Sequence, residues 1–393
     1  MSLARIEALT GNEAAARGAA LCRPDIIAAY PITPQSSVVE NLARMRANGE
    51  IDADMVEVES EHSAMSVVQG AALAGARTFT ATSAQGLALM YEPYFRMSTL
   101  RLPMVMALAG REMTSPETIW GGQQDSISVR EAGWIQFYVE DNQEILDTII
   151  QGYKVAENEQ VLVPVNVCYD GFYLSHLMER VEIPDQELVD KFLPPRRAEH
   201  VVLDPRRPMA VDPMTPGPLL MKYRRNHLEA MQAALTVIDA VDAEFGHLFG
   251  RRYGGSIEAY RLDDADAALI TIGSATGAGK EAVDRCRAQG KKLGLLKVRV
   301  LRPFPQQQIR QALRAVHAVG VVDRSVSFGW NTGALYQEML AALGQAGRAL
   351  PALSFIGGLG GADITLDHML AVAERVLALA EHPRYDNPTI WLD

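Results

Sequence analysis

Cysteine is nearly missing from this chain. Of 393 residues only Cys22, Cys168 and Cys286 are cysteine, and they lie far apart. They form no CxxC pair and no even set, which excludes a disulfide framework and points to a reducing compartment. An iron–sulfur cluster held by this chain is excluded too, because it needs about four closely placed thiolates. The eight histidines are scattered. Metal-ligand spacing is absent, and His62, with no partner at i+4, reads as a packed or surface residue. A basic excess is also lacking: 37 Lys and Arg face 48 Asp and Glu, a net charge of -11. That speaks against a nucleic-acid or anionic-membrane surface. No apolar run reaches about 18 residues, so no spanning helix is expected. The start, MSLARIEALTGNEAAARGAAL, carries early acids and no apolar block, unlike a signal peptide. These absences lead to the expectation of a cytoplasmic protein.

What is present is an α/β pattern. The length suggests two or three domains. Strand-like runs stand at DIIAAYP (25–31), DMVEVES (54–60), RTFTATS (77–83), LPMVMALAG (102–110), WIQFYVE (134–140) and VPVNVCYDG (163–171). Helical stretches such as SSVVENLARM (36–45) and HSAMSVVQGAALAGA (62–76) separate them. Apolar strands alternating with helices predict a parallel sheet covered on both faces. Seven prolines then fall between Pro194 and Pro218. Proline fixes φ and lacks a donor, so this is extended connecting chain. A polar helix is predicted at roughly 219–247. A second α/β unit follows, with strands at 267–273, 293–300, 318–324 and 352–358 and helices at 277–289, 305–315, 332–346 and 365–382. The expected division is 1–190, 191–262 and 263–393.

Several motifs fall where strands end. GSATGAGKEA (273–282) lacks the glycine and hydroxyl of a phosphate loop and fails GxGxxG, so it reads as a tight strand-to-helix turn whose amides can meet an anion. YPITPQSS (30–37) ends the first strand, a ligand position in open sheets. Ser36 or Ser37 reads as the N-cap of the next helix, leaving Thr33 free. Arg111, in LAGREMTSPETIWGGQQDS (108–126), reads equally as a solvated arginine or as a bidentate carboxylate clamp. EVESEHSAM (57–65) alternates Glu57, Glu59 and Glu61. By its spacing this is an exposed strand edge, a metal site, or one buried acid with two bystanders.

Taken together, YPITPQSS, ENLARM, VESEHSAM, GARTFTATSAQGLALM, GWIQ, GLLKVRVLRPFP, VVDRSVSFG followed by GALY, and GLGGADIT resemble the α subunit of the pyruvate-type 2-oxoacid:ferredoxin oxidoreductases. The resemblance runs from TGNEAAA (10–16) to the last helix. It implies a doubly wound parallel-sheet domain that binds the pyrimidine of thiamine diphosphate, followed by a transketolase-C-terminal-like α/β domain. The family's β subunit carries the diphosphate and Mg²⁺ motif. YDGF (169–172) lacks the glycine and asparagines of that motif, so this chain is expected to be half of an active site. The resemblance further implies coenzyme A as co-substrate, [4Fe–4S] clusters on other subunits, and γ and δ (ferredoxin-like) subunits as partners.

Carried onto this sequence, the resemblance makes Glu61 the acid that hydrogen-bonds the aminopyrimidine, with Tyr30, Pro31, Ile32, Ser83 and Gln85 lining the cofactor. Glu59 supports the loop and Glu57 is a solvated bystander. Thr33 and Arg111 hold the substrate carboxylate, and Trp120, Gln123 and Gln124 line the substrate pocket. Two departures stand out. Gly122 and Gln123 replace an acid and a histidine, which is expected to enlarge the pocket for an acid bulkier than pyruvate, such as phenylglyoxylate or a branched-chain 2-oxoacid. Ala362 replaces an arginine, so any anion contact made there is missing. The competing reading is an α/β assembly subunit without chemistry; the presence of Glu61, Thr33 and Arg111 speaks against it.

Overall fold

The computed structural model describes residues 5–393 apart from residues 115, 199, 346, 348 and 387. Every one of the predicted strand runs contains a strand. An N-terminal strand β1 (Arg5–Thr10) is followed by β2 (Ile26–Ala29), β3 (Asp54–Glu57), β4 (Thr78–Thr82), β5 (Val105–Gly110), β6 (Ile135–Tyr138), β7 (Val165–Asp170) and β8 (Met178–Ile183). β4, β5, β6 and β7 are buried at every position, which is why they read as apolar runs without alternation. Six strands are parallel in the order β3-β2-β4-β5-β7-β6. β1 and β8 form a separate antiparallel pair; the first lies in a segment where no strand was expected.

The second unit holds β9 (Ile257–Tyr260), β10 (Ala267–Thr271), β11 (Leu293–Val298), β12 (Val300–Arg302), β13 (Ala318–Asp323), β14 (Ala352–Gly357) and β15 (Ile390–Leu392). Its sheet runs β15-β14-β13-β10-β11-β9, with β9 antiparallel. The run predicted as one strand at 293–300 is divided. Beyond Val298 the chain leaves this sheet, and β12 pairs antiparallel with β6 of the first one. Arg299 lies at the break, fully buried, with Nε on Glu144 at 2.8 Å and Nη1 on the Gly255 carbonyl at 2.9 Å. One apolar cluster spans both units, joining Met104, Trp134 and Tyr138 to Leu296, Val298 and Leu301.

The Pro-rich stretch is connecting chain, and the polar helix after it runs Gly217–Phe249. The predicted helix at 332–346 is observed as Ala334–Gly344; residue 346 lies outside the described residues. The expected serine cap is corrected. Gln35, not Ser36 or Ser37, stands at the N-cap of helix Ser36–Ala47, without a side-chain cap bond. Ser37 is drawn off instead: its Oγ accepts from Asn12 Nδ2 at 2.8 Å. The turn at 273–274 does meet an anion, but an internal one, since Ser274 N donates to Asp170 Oδ2 at 3.2 Å.

Candidate active site

From β2 the chain adds β3 on one side, and β4 lies on the other. In open parallel sheets such a reversal leaves a crevice at the carboxyl ends of the strands, where ligands bind. Tyr30, Pro31, Ile32 and Thr33 follow β2, and the turn after β3 leads to Glu61. Ser83 and Gln85 follow β4, and Arg111 follows β5. Residues distant in sequence are thus delivered to one edge of the sheet.

The three alternating acids part company here. Glu57 and Glu59 are exposed, while Glu61 is 3% exposed. Glu59 accepts from Ser63 Oγ at 2.6 Å. Ser60 caps the helix through Ser63 N, which makes Glu61 its first residue. A carboxylate at that end of a helix meets the positive end of its dipole. Burial nevertheless pushes the Glu61 carboxyl above the usual carboxylate range, opposed only by its own backbone amide. Among the described residues no other group donates to it. Gly86 makes room for it: a Cβ there would come within 2.3 Å of Thr82 Oγ1 and 2.8 Å of Glu61 Oε1. The Thr82 hydroxyl and the Gln85 amide oxygen are likewise buried without a partner. Ser83 Oγ donates to the Ala109 carbonyl at 2.7 Å, tying the ends of β4 and β5 together. His62 is on the surface, and among the described residues no His/Cys/Asp/Glu group is arranged to hold a metal.

Arg111 is buried, 5% exposed, and reaches the β2 loop. Its Nη1 donates to the Thr33 carbonyl at 3.0 Å, its Nε to the Thr118 carbonyl at 2.9 Å, and its Nη2 to Glu117 at 3.3 Å. Of the two readings of Arg111, a solvated arginine is therefore excluded. A guanidinium has five N–H groups, so donors remain for a ligand. The Glu117 side chain is 68% exposed, and a contact of this kind is weak and displaceable.

The 120–126 loop behaves differently from the open pocket expected of it. The room at Gly122 is filled by Glu112, whose Oε1 lies 2.1 Å from where a Cβ would stand. Gln123 is 4% exposed, and its Nε2 faces Asp170 Oδ1 at 3.4 Å. Gln124 Oε1 accepts from Met113 N at 3.0 Å. Trp120 alone of the three is exposed, with Phe172 at 4.4 Å.

Asp125 was not singled out from the sequence, although it ends the same loop. It is fully buried, and its Oδ2 accepts from both Ala84 N and Arg111 N at 2.9 Å. It therefore pins the turns after β4 and β5 to each other. Burial pushes it up to about 7 against these amide bonds. Glu112 is pushed up to about 7 by burial and then by the Asp125 charge. No spacing rule marks either acid.

Comparison with known proteins identifies the family of the chain. Residues 17–243 match the family described as pyruvate flavodoxin/ferredoxin oxidoreductase, thiamine diphosphate-binding. Residues 265–369 match the pyruvate:ferredoxin oxidoreductase core domain II. The chain is 51% identical over 390 residues to the α subunit of NADH-dependent phenylglyoxylate dehydrogenase from Aromatoleum evansii, covering 98% of this chain and 94% of the relative. It is 46% identical to the pyruvate synthase subunit PorA of Methanocaldococcus jannaschii, covering 100% and 98%. It is 43% identical to the ketoisovalerate oxidoreductase subunit VorA of Pyrococcus horikoshii, covering 98% and 96%. In fold it is similar to the 2-oxoglutarate:ferredoxin oxidoreductase of Magnetococcus marinus, with a TM-score of 0.73 at 21% identity over 95% of this chain and 65% of that one. An inactive split-gene transketolase gives a TM-score of 0.56 at 13% identity, over 95% of this chain and all of that one. The chain belongs to the 2-oxoacid:ferredoxin oxidoreductase family as an α-type subunit, with the family's thiamine-diphosphate-binding domain in its first part.

Proposed function

We propose that this chain supplies the aminopyrimidine side of a thiamine-diphosphate site that oxidatively decarboxylates a 2-oxoacid to its acyl-CoA. The observation that carries this reading is Glu61: a buried, protonatable acid beside the reversal point of a parallel sheet, with no donor but its own backbone amide among the described residues. The polar atoms around it fit an aminopyrimidine. Such a ring offers a nitrogen for an acid and an amino group for acceptors, and the Thr82 hydroxyl and Gln85 amide oxygen are buried and unengaged. When bound, thiamine diphosphate supplies the nucleophilic carbon and the electron sink for loss of CO2.

The rest is the work of this chain. Glu61, its proton favoured by burial, holds that proton on a carboxyl oxygen and shares it with the ring nitrogen. Arg111 orients the substrate carboxylate through the N–H groups left free by Thr33, Thr118 and Glu117. Thr33 adds a hydroxyl donor beside it. Tyr30, Pro31 and Ile32 line the cofactor side of the crevice and limit water there.

The cofactor's diphosphate and Mg²⁺ belong to a β subunit in this reading, since no such motif is present here. In this reading [4Fe–4S] clusters on other subunits of the complex would take up the electrons, with ferredoxin or NAD as the terminal acceptor. The subunit names of the relatives support an assembly of this kind. The division 1–190, 191–262 and 263–393 is retained as the functional one: cofactor domain, connecting arm and helix, supporting domain. We take the substrate to be a 2-oxoacid with an aryl side chain. Exposed Trp120, two residues beyond Thr118, whose carbonyl anchors Arg111, and half-buried Phe172 packed against it at 4.4 Å support this.

Two measurements on the purified complex test the proposal. Thiamine diphosphate titrated into wild type and Glu61→Gln is expected to bind both, with turnover lost only in the variant. Ordinary turnover in Glu61→Gln would overturn the assignment. Rates with phenylglyoxylate, 2-oxoisovalerate and pyruvate compared side by side are expected to rank in that order, and a preference for pyruvate would reject the aryl reading.

A further inference from the structure

Arg324 follows β13 directly and is 4% exposed. Its Nη1 donates to Asp170 Oδ2 at 2.9 Å and to Ser274 Oγ at 2.8 Å. Its Nη2 reaches the carbonyls of Gly358 at 3.3 Å and Ala362 at 3.4 Å. Ala362 thus contributes a carbonyl to an arginine drawn from another strand end. The backbone of Arg324 is also engaged, since its carbonyl accepts from Gln123 N at 3.3 Å. Gln123 in turn spans back to Asp170 through its side chain.

Gln123 is the N-cap position of the short helix Gln124–Ser128, which carries Asp125. Asp125 holds the amides of Ala84 and Arg111. Arg324 is therefore linked to the backbone of Arg111 through Gln123 and Asp125, although the two arginines are 213 residues apart (324 − 111). A second link runs beside it: Gly361 N donates to the Gly121 carbonyl at 2.7 Å, and the Gly360 amide bonds Glu112. The second unit thus grips the 111–126 loop at both ends. That grip matters because the Arg111 guanidinium is steadied by two carbonyls and one exposed acid, none of them rigidly held side chains. Its aim depends on where its backbone is fixed.

We infer that Arg324, paired with Asp170, is a positioning residue: through Gln123 and Asp125 it fixes the 111–126 loop against the second unit, and so sets the aim of Arg111 at the substrate. This deepens the function proposed above and rests on it. Arg324 touches neither substrate nor cofactor in this account. A planar fork suits the task, because four acceptors on three segments lie around one guanidinium and an ammonium cannot meet them in the same geometry.

The test uses the intact complex with Arg324→Ala and Arg324→Lys. Five quantities are read: the thermal midpoint, the thiamine diphosphate Kd, 2-oxoacid binding by calorimetry, kcat and KM. Misaiming a carboxylate clamp is expected to weaken 2-oxoacid binding and raise KM about 10- to 100-fold. Thiamine diphosphate should bind within about twofold of wild type, because Glu61 lies outside the linked set. Added guanidinium ion should recover part of the lost kcat/KM in Arg324→Ala and none in Arg324→Lys, where the ammonium fills the site. Unchanged KM and substrate binding in a folded Arg324→Ala complex would overturn the inference. So would a loss of thiamine binding in step with turnover, which marks a purely structural role. Should the single variant fail to fold, Arg324→Met with Asp170→Asn removes both charges. That pair is expected to fold and show the same rise in KM; a normal KM in it would also reject the idea. Failure here is distinct from failure of the proposed function, which is read from Glu61→Gln and from the ranking of 2-oxoacid rates in the wild type.

Discussion

Glu61 and Glu144 are both buried glutamates in the first turn of a helix, and they behave in opposite ways. Glu144 accepts from Lys297 Nζ at 2.6 Å and from Arg299 Nε at 2.8 Å. Burial alone would raise its pKa, but the charges of Lys297 and Arg299 hold it below the usual range. Lys297 agrees: burial works against its charge, yet Glu144 and Glu140 keep its pKa above the ordinary lysine value. Glu61 meets burial with no cation beside it among the described residues, and its carboxyl is pushed up. The lesson is one of partners. A buried acid with two cations becomes glue between the two units, with the ions coming from β11 and the residue after it. A buried acid without them keeps a carboxyl that burial pushes up, the property that the proposed role of Glu61 uses.

The sharpest way to break the comparison is to remove each acid in turn. Glu61→Ala is expected to cut turnover by about 10²- to 10⁴-fold, the range for a lost acid–base group. Its thermal midpoint should stay near that of wild type, as measured by calorimetry beside steady-state rates. Glu144→Ala should do the reverse, taking the near carboxylate from Arg299 and leaving Lys297 with Glu140, and costing about 3–5 kcal/mol of stability. Denaturant unfolding reads that cost; a stable Glu144→Ala protein would mean the ion network is not glue. Arg111→Lys should raise the 2-oxoacid KM about tenfold, or 1.4 kcal/mol, with kcat less affected, because an ammonium cannot form the paired contact.

The subtlest effect is a slope. Asp125 is pushed up to about 7 in the folded chain, from roughly 3.9 unfolded. A raised folded pKa gives stability that is present below the unfolded value and is lost as pH rises, here between about 4 and 7. Glu144, with a lowered pKa, has the opposite sign: its contribution is present above the unfolded value and is lost as pH falls through its folded one. Asp125→Asn should therefore flatten the decline of stability from pH 4 to 7 in thermal scans. An unchanged slope would show that another group carries it.

Much of the fold is legible because its signals are local. The apolar runs of β4, β5 and β7 report strands buried on both faces. Ser60 before Glu61 marks a helix start, and the proline cluster marks a connecting arm. The cap at Ser36 or Ser37 misleads because Asn12, more than twenty residues earlier, takes the Ser37 hydroxyl. The single strand expected at 293–300 misleads because Arg299 is drawn to Glu144, an acid of the other unit. The loop at 120–126 misleads for the same reason: a small residue at Gly122 reads as empty space until Glu112 is seen filling it.

The sequence by itself determined the element order, the parallel class, the family motifs and the short list holding Glu61, Thr33 and Arg111. Those rest on periodicity and on contiguous residues, which the chain carries wherever it folds. Tertiary structure decided which acid of EVESEHSAM is buried, that Arg111 rests on the Thr33 carbonyl, and that Arg324 and Asp170 join the two units. The reason is physical: burial, ion pairing and loop aim are set by groups brought close only when the sheets pack, and no local pattern records who those neighbours are.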